Sequence, residues 1–173
     1  LGHYGRSKYL GEVAVQENSN DYIICRAGWM MGAGASKDKK FIQKLIKQIT
    51  EGASSLNVVN DKLGTPTYTH DFANNVKVLL EKELWGLYNM VCGGITGRLE
   101  VAEELVKILK LHDSVKVTPV DSSYFKKEYY AERPPSERLL DTKLNLRQAN
   151  IMRDWKVCLE EYIQNYYEGY LNN

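Results

Sequence analysis

Four short strand candidates, at residues 22–25, 56–59, 86–91 and 115–120, take turns with stretches whose apolar residues recur every three or four positions. This alternation restricts the fold more than any other feature of the chain. The run Tyr22-Ile23-Ile24-Cys25 does not alternate apolar with polar residues, which predicts a strand buried on both faces. Before it, Leu10, Val13 and Ala14 keep helical spacing over 4–17, and the polar cluster 18–21 ends that segment. Phe41, Ile42, Leu45, Ile46 and Ile49 form one helical stripe, with Gly52 where the helix would close. Phe72, Val76, Leu79 and Leu80 form a second behind Thr69 or Asp71 as N-cap; Leu99, Ala102, Leu105, Val106 and Leu109 form a third behind Thr96. A final helix is predicted from about 155 to 170, after a polar segment containing Arg133-Pro134-Pro135-Ser136. Strand and helix alternating in this way predict an α/β fold in which crossover helices cover a mainly parallel sheet. Ligands of such sheets meet the carboxyl ends of the strands, so the loops after Ala27, Val59 and Val91 are the places to look for a site.

The 173 residues are 43% apolar and 26% charged, the profile of a globular domain. With 23 basic against 22 acidic residues, the chain has no global field to hold a nucleic-acid backbone or an anionic membrane. No apolar run approaches the roughly 20 residues that span a bilayer, and residues 1–8 lack the pattern of a signal peptide, so a cytoplasmic protein is expected. Cys25, Cys92 and Cys158 are widely spaced without a C-x-x-C pair, and His3, His70 and His112 are equally scattered. Neither a disulfide framework nor a metal site follows from that spacing, and all six are read as core or surface residues. No G-x-G-x-x-G turn and no P-loop is present.

Tyr4 and Lys8 form a Y-x-x-x-K pair, which on a helix places both side chains on one face. A phenol with an ordinary pKa of about 10 is a poor acid at neutral pH until a nearby ammonium favours the phenolate. Such a tyrosine can give its proton to a carbonyl oxygen whose carbon receives hydride. Twelve tyrosines and abundant lysines make one such pair unsurprising by chance, so the pair alone decides nothing.

Its surroundings carry more. Tyr4-Gly-Arg-Ser-Lys-Tyr-Leu-Gly-Glu12 is followed by Arg26-Ala-Gly-Trp29, by Gly64-Thr-Pro-Thr with Asp71-Phe-Ala73, by Gly86-Leu-Tyr-Asn89, and by Arg133-Pro-Pro-Ser136 within 131–144. In that order and spacing, nearly the whole chain resembles the C-terminal half of the dTDP-4-dehydrorhamnose reductase family, among the extended short-chain dehydrogenase/reductases. The resemblance implies a Rossmann-type α/β fold, with residues 1–60 the end of the core that carries the Y-x-x-x-K helix and 61–173 mainly the substrate-binding lobe. It implies reduction of the C4 ketone of a nucleotide-linked 4-keto-6-deoxysugar by NADP(H) or NAD(H), in dTDP-rhamnose and cell-surface polysaccharide synthesis. Tyr4 then resembles the catalytic proton donor and Lys8 its partner, which also holds the nicotinamide ribose. Backbone groups at Ala27 and Gly28 would lie near the nicotinamide, although the family more often has Thr-Ser here. Trp29 resembles the tryptophan that packs on the deoxysugar, and Arg133 would meet the diphosphate.

The family's glycine-rich turn and its third catalytic hydroxyl would precede Leu1, so the chain is expected to be the C-terminal portion of a longer enzyme and inactive alone. The family leaves magnesium and a homodimer open, and neither is readable in these residues. Two alternatives remain at this point. One is a non-catalytic regulatory or binding subunit, like the methionine adenosyltransferase regulatory subunits. The other is a nucleotide-sugar epimerase or dehydratase, ranked lower because those relatives usually carry an Asn-x-Tyr-Gly-Pro segment where this chain has Arg26-Ala-Gly-Trp-Met-Met-Gly32. Thr65-Pro66-Thr67 is read as a turn that fixes the next helix, Asp71 as a residue complementing that helix's dipole, and 37–40 as a solvated helix start.

Overall fold

A computed structural model describes residues 2–127 and 134–167. The chain opens with helix α1 (His3–Asn18), followed by strands β1 (Ile23–Arg26) and β2 (Trp29–Met31), helix α2 (Phe41–Thr50) and strand β3 (Ser55–Val59). Short strands β4 (Leu63–Gly64) and β5 (Pro66–Tyr68) lead into α3 (Thr69–Glu81), β6 (Gly86–Asn89), β7 (Thr96–Gly97), α4 (Arg98–Ile108) and β8 (Lys116–Val120). A 3-10 turn, β9 (Ser136–Glu137), α5 (Thr142–Leu146) and α6 (Trp155–Tyr167) complete the described elements.

The parallel pairing expected from the alternation is present. β1 runs parallel to β6, β2 to β5 and β3 to β8, while β4 pairs antiparallel with β7 and parallel with β9. Each parallel pair is joined through helices that bury their apolar stripe. From α2, Ile42, Leu45 and Ile46 enter the larger core; Val101, Ala102 and Leu105 enter it from α4, and Trp155, Leu159 and Ile163 from α6. A smaller core joins Leu79 of α3, Tyr88 and Met90 at β6, and Leu144 of α5. Burying a side chain of this size stabilises by about 1.5–3 kcal/mol, so these two clusters hold the lobe together.

Several expectations are corrected. Residues 22–25 are half-buried, because among the described residues β1 has only β6 as a strand neighbour. Thr65-Pro66-Thr67 is no turn: β5 is a buried strand against β2, where Pro66 meets Trp29 and a missing amide proton is tolerated at the strand's start. Gly97, not Thr96, is the N-cap of α4, and its amide is held by the Glu100 carboxylate at 2.8 Å. α3 begins at Thr69 behind Tyr68, with no side-chain cap. Asp38 is buried rather than solvated, accepting hydrogen bonds from the Tyr162 hydroxyl at 2.9 Å and the Lys40 amide at 2.8 Å. The predicted last turn of the final helix, including Tyr170, and the candidate Arg133 lie outside the described residues.

Candidate active site

Tyr4, Lys8 and Glu12 recur every fourth residue on α1 and so share one face. The Lys8 ammonium stands 5.6 Å from the centroid of the Tyr4 ring, and Tyr4 itself is 73% exposed. No residue of α1 is buried. The third member of the stripe ties the helix to β1: Glu12 takes a bidentate pair of hydrogen bonds from Arg26, with Nε donating to Oε1 at 2.8 Å. That contact holds the Glu12 carboxyl below its ordinary pKa. Arg26 is the last residue of β1, so the Tyr4–Lys8 face is tied to the carboxyl end of a parallel strand, where this class of sheet presents its ligands.

The β1–β2 link passes close to another backbone. A Cβ at Gly28 would lie 2.1 Å from the Thr65 carbonyl oxygen, which is why glycine stands there. The Gly28 amide donates to Thr67 Oγ1 at 2.9 Å and the Trp29 amide to the Thr65 carbonyl at 2.9 Å. The Gly28 N–H is therefore spent inside the protein, and Ala27 offers no side-chain donor.

Trp29 is half-buried, and three neighbours surround it. Its indole Nε1–H donates to Glu137 Oε2 at 2.7 Å; the Arg98 guanidinium lies 4.6 Å from its ring centroid and 4.9 Å from that of Phe41; its benzo edge fills the space a Cβ at Gly64 would need. A cleft of about 190 Å³ opens beside β2, lined by Met30, Met31, Lys37, Asp38, Lys40 and Thr69.

Behind these, Asp71 is 4% exposed and receives Arg153 Nη2 at 2.7 Å, Arg153 Nε at 3.0 Å and the Arg153 amide at 3.2 Å; Cys158 Sγ donates to it at 3.3 Å. Burial alone would raise the Asp71 carboxyl, but these hydrogen bonds outweigh it and hold its pKa low. Glu161 takes the far side of the same guanidinium. Asp141, buried and accepting the Val91 amide, is pushed up to about 6 by burial. Among the described residues no group of three or more His, Cys, Asp or Glu could hold a metal ion. No described helix is long and apolar enough to cross a membrane.

The structure thus places Tyr4 and Lys8 together on α1 and sets Ala27, Gly28 and Trp29 one after another beyond the Arg26 anchor. Glu12, Arg26, Arg98 and Glu137 were missed. The alternation pattern carries no signal for contacts between residues 14 and 108 positions apart.

Compared with known proteins, residues 1–168 match the family model described as RmlD substrate binding domain. The chain belongs to the RmlD substrate-binding domain family. It is 31% identical over 163 residues to the spore coat polysaccharide biosynthesis protein SpsK of Bacillus subtilis, covering 93% of this chain and 53% of that protein. The crystal structure of a dTDP-4-dehydrorhamnose reductase from Yersinia enterocolitica aligns with a TM-score of 0.85 at 32% identity, over 94% of this chain and 56% of the reductase. The Bacillus anthracis reductase, solved in complex with NADP, aligns with a TM-score of 0.83 at 28% identity, over 94% and 55%. The chain spans about half the length of the curated relatives it matches.

Proposed function

We propose that this RmlD domain is the sugar-side portion of an NAD(P)H-dependent reductase that converts the C4 ketone of a cytoplasmic dTDP-4-keto-6-deoxysugar to an alcohol. The observation that carries the proposal is the Tyr4–Lys8–Glu12 face, tied through Arg26 to the carboxyl end of β1 and to the chain that continues into Trp29. A reduced nicotinamide, when bound, supplies the hydride that the carbonyl carbon takes up. The Tyr4 hydroxyl gives its proton to the carbonyl oxygen as negative charge develops there, and the Lys8 ammonium compensates the phenolate left behind. Lys8 also offers three N–H donors to the nicotinamide ribose. Trp29 supplies a flat apolar wall for the deoxygenated face of the sugar.

Replacing Tyr4 with Phe in the complete reductase keeps the ring and removes the proton. Turnover should fall by at least about 100-fold, while affinities for cofactor and nucleotide sugar stay unchanged. A Tyr4→Phe enzyme that turns over normally contradicts the proposal, as does one that loses binding along with turnover. The 173 residues by themselves should show no NADPH-dependent turnover.

A further inference from the structure

We propose that Glu137 is the positioning residue of the sugar pocket, fixing the face that Trp29 presents to the ligand. The inference rests on the reading of Trp29 as the sugar-facing wall. Trp29 opens β2 and Glu137 closes β9, 108 positions later, yet the indole N–H and the carboxylate meet at 2.7 Å. That length belongs to a charge-assisted hydrogen bond, stronger and more directional than one between neutral groups. Its direction matters because the indole ring turns about a broad, shallow χ2 torsion, and a hydrogen bond at the Nε1 corner removes that freedom.

The carboxylate is itself held. β9 pairs with β4 in a register that sets Glu137 opposite Gly64, and the Leu63 amide donates to the Pro135 carbonyl at 2.9 Å. The glycine in that pair is the one over which the indole lies: a Cβ at 64 would stand 2.2 Å from Trp29 Cζ2. The same two strands therefore provide the hydrogen-bond acceptor for the Nε1 corner of the ring and the open seat for the adjoining Cε2–Cζ2–Cη2 edge. Arg98, at 4.6 Å from the ring centroid, adds a cation–π contact. A tryptophan that needed only to satisfy its N–H could do so with water, since the side chain is half-buried. Acceptor, seat and cation converging from β9, β4 and α4 define one ring orientation.

The test uses the 173-residue chain and the indole N–H signals of its three tryptophans in a proton–nitrogen correlation spectrum, with Trp29 assigned by Trp29→Phe. The probes are dTDP and dTDP-rhamnose. Glu137→Ala should move the Trp29 indole signal while the backbone signals of α4 and α6 stay in place. Affinity for dTDP-rhamnose should fall about tenfold, the worth of a well-placed aromatic contact, with affinity for dTDP unchanged. Glu137→Gln, which keeps an acceptor oxygen, should restore both the signal and the affinity to near wild-type values. Wild-type binding of dTDP-rhamnose that survives Glu137→Ala undiminished refutes the role of Glu137 alone. Indole signals in the wild-type chain that ignore dTDP-rhamnose refute the sugar-site reading and, with it, the positioning role. Equal weakening of dTDP and dTDP-rhamnose by both variants assigns Glu137 to general stability and also overturns the proposal.

Discussion

Helix α1 buries none of its 16 residues, whereas α6 buries six of its 13, and the two carry different duties. α1 bears the Tyr4–Lys8 pair and is tied to β1 by the ion pair from Glu12 to Arg26. α6 closes the larger core with Trp155, Leu159 and Ile163, and its Tyr162 hydroxyl pins the loop at Asp38. The contrast teaches that Tyr4–Lys8 and Trp29 are held differently within these residues: α1 is tied to β1 by charge, whereas Trp29 sits among strands and a helix that pack and hydrogen-bond around it.

The sharpest way to break the contrast is on the lobe side. Arg153→Ala leaves the Asp71 carboxylate, 4% exposed, without its cation. Orphaning a buried charge costs about 3–5 kcal/mol, and the half-exposed guanidinium places this case near about 3 kcal/mol at pH 7. The pH dependence follows from the lowered pKa of Asp71. Its pairing stabilises the native state above the unfolded carboxyl pKa, about 4, and that contribution is lost as the pH falls through the lower folded value. The gap between wild type and Arg153→Ala in urea unfolding should therefore be full at pH 7 and shrink below about pH 4. A gap that does not change with pH would show that Arg153 acts through packing.

The corresponding change on α1 should be much smaller. Glu12→Ala removes a partly exposed ion pair worth about 0.2–1 kcal/mol, so the unfolding midpoint of the lobe should hardly move. The effect should appear locally, as faster amide hydrogen exchange over 3–18 with unchanged protection in α4 and α6. Comparable losses at α1 and in the lobe would erase the distinction between the two regions.

What could be read from the chain itself follows the same division. The stripes of α2 and α4 were legible because a long helix repeats its burial pattern often enough to be seen against a polar background, whereas α3 buries Asp71, Asn75 and Leu79 and leaves the expected Leu80 52% exposed, since polar contacts to Arg153 and the 149–151 backbone claim that face. β2, β4, β5, β7 and β9 were not legible, since strands of two or three residues never repeat the two-residue alternation and exist only because a partner strand lies beside them. Thr96 looked like a helix cap because its hydroxyl is the usual acceptor there; the structure instead spends it in β7 and caps with Gly97 and Glu100. In the site, Tyr4 and Lys8 were visible as an i, i+4 pair. Glu12, four residues further along the same face, carries no signal of its own in the sequence, because its meaning depends on Arg26. Glu137 and Arg98 reach Trp29 from distant strands and helices, and only the fold makes them neighbours.

The most direct test of the central claim is amide hydrogen exchange of the 173-residue chain with and without dTDP-rhamnose, read segment by segment. The account predicts that the ligand protects the segments around Trp29, β4 and β9, while α1 exchanges quickly in both conditions. Protection confined to α1, or none anywhere, would contradict it.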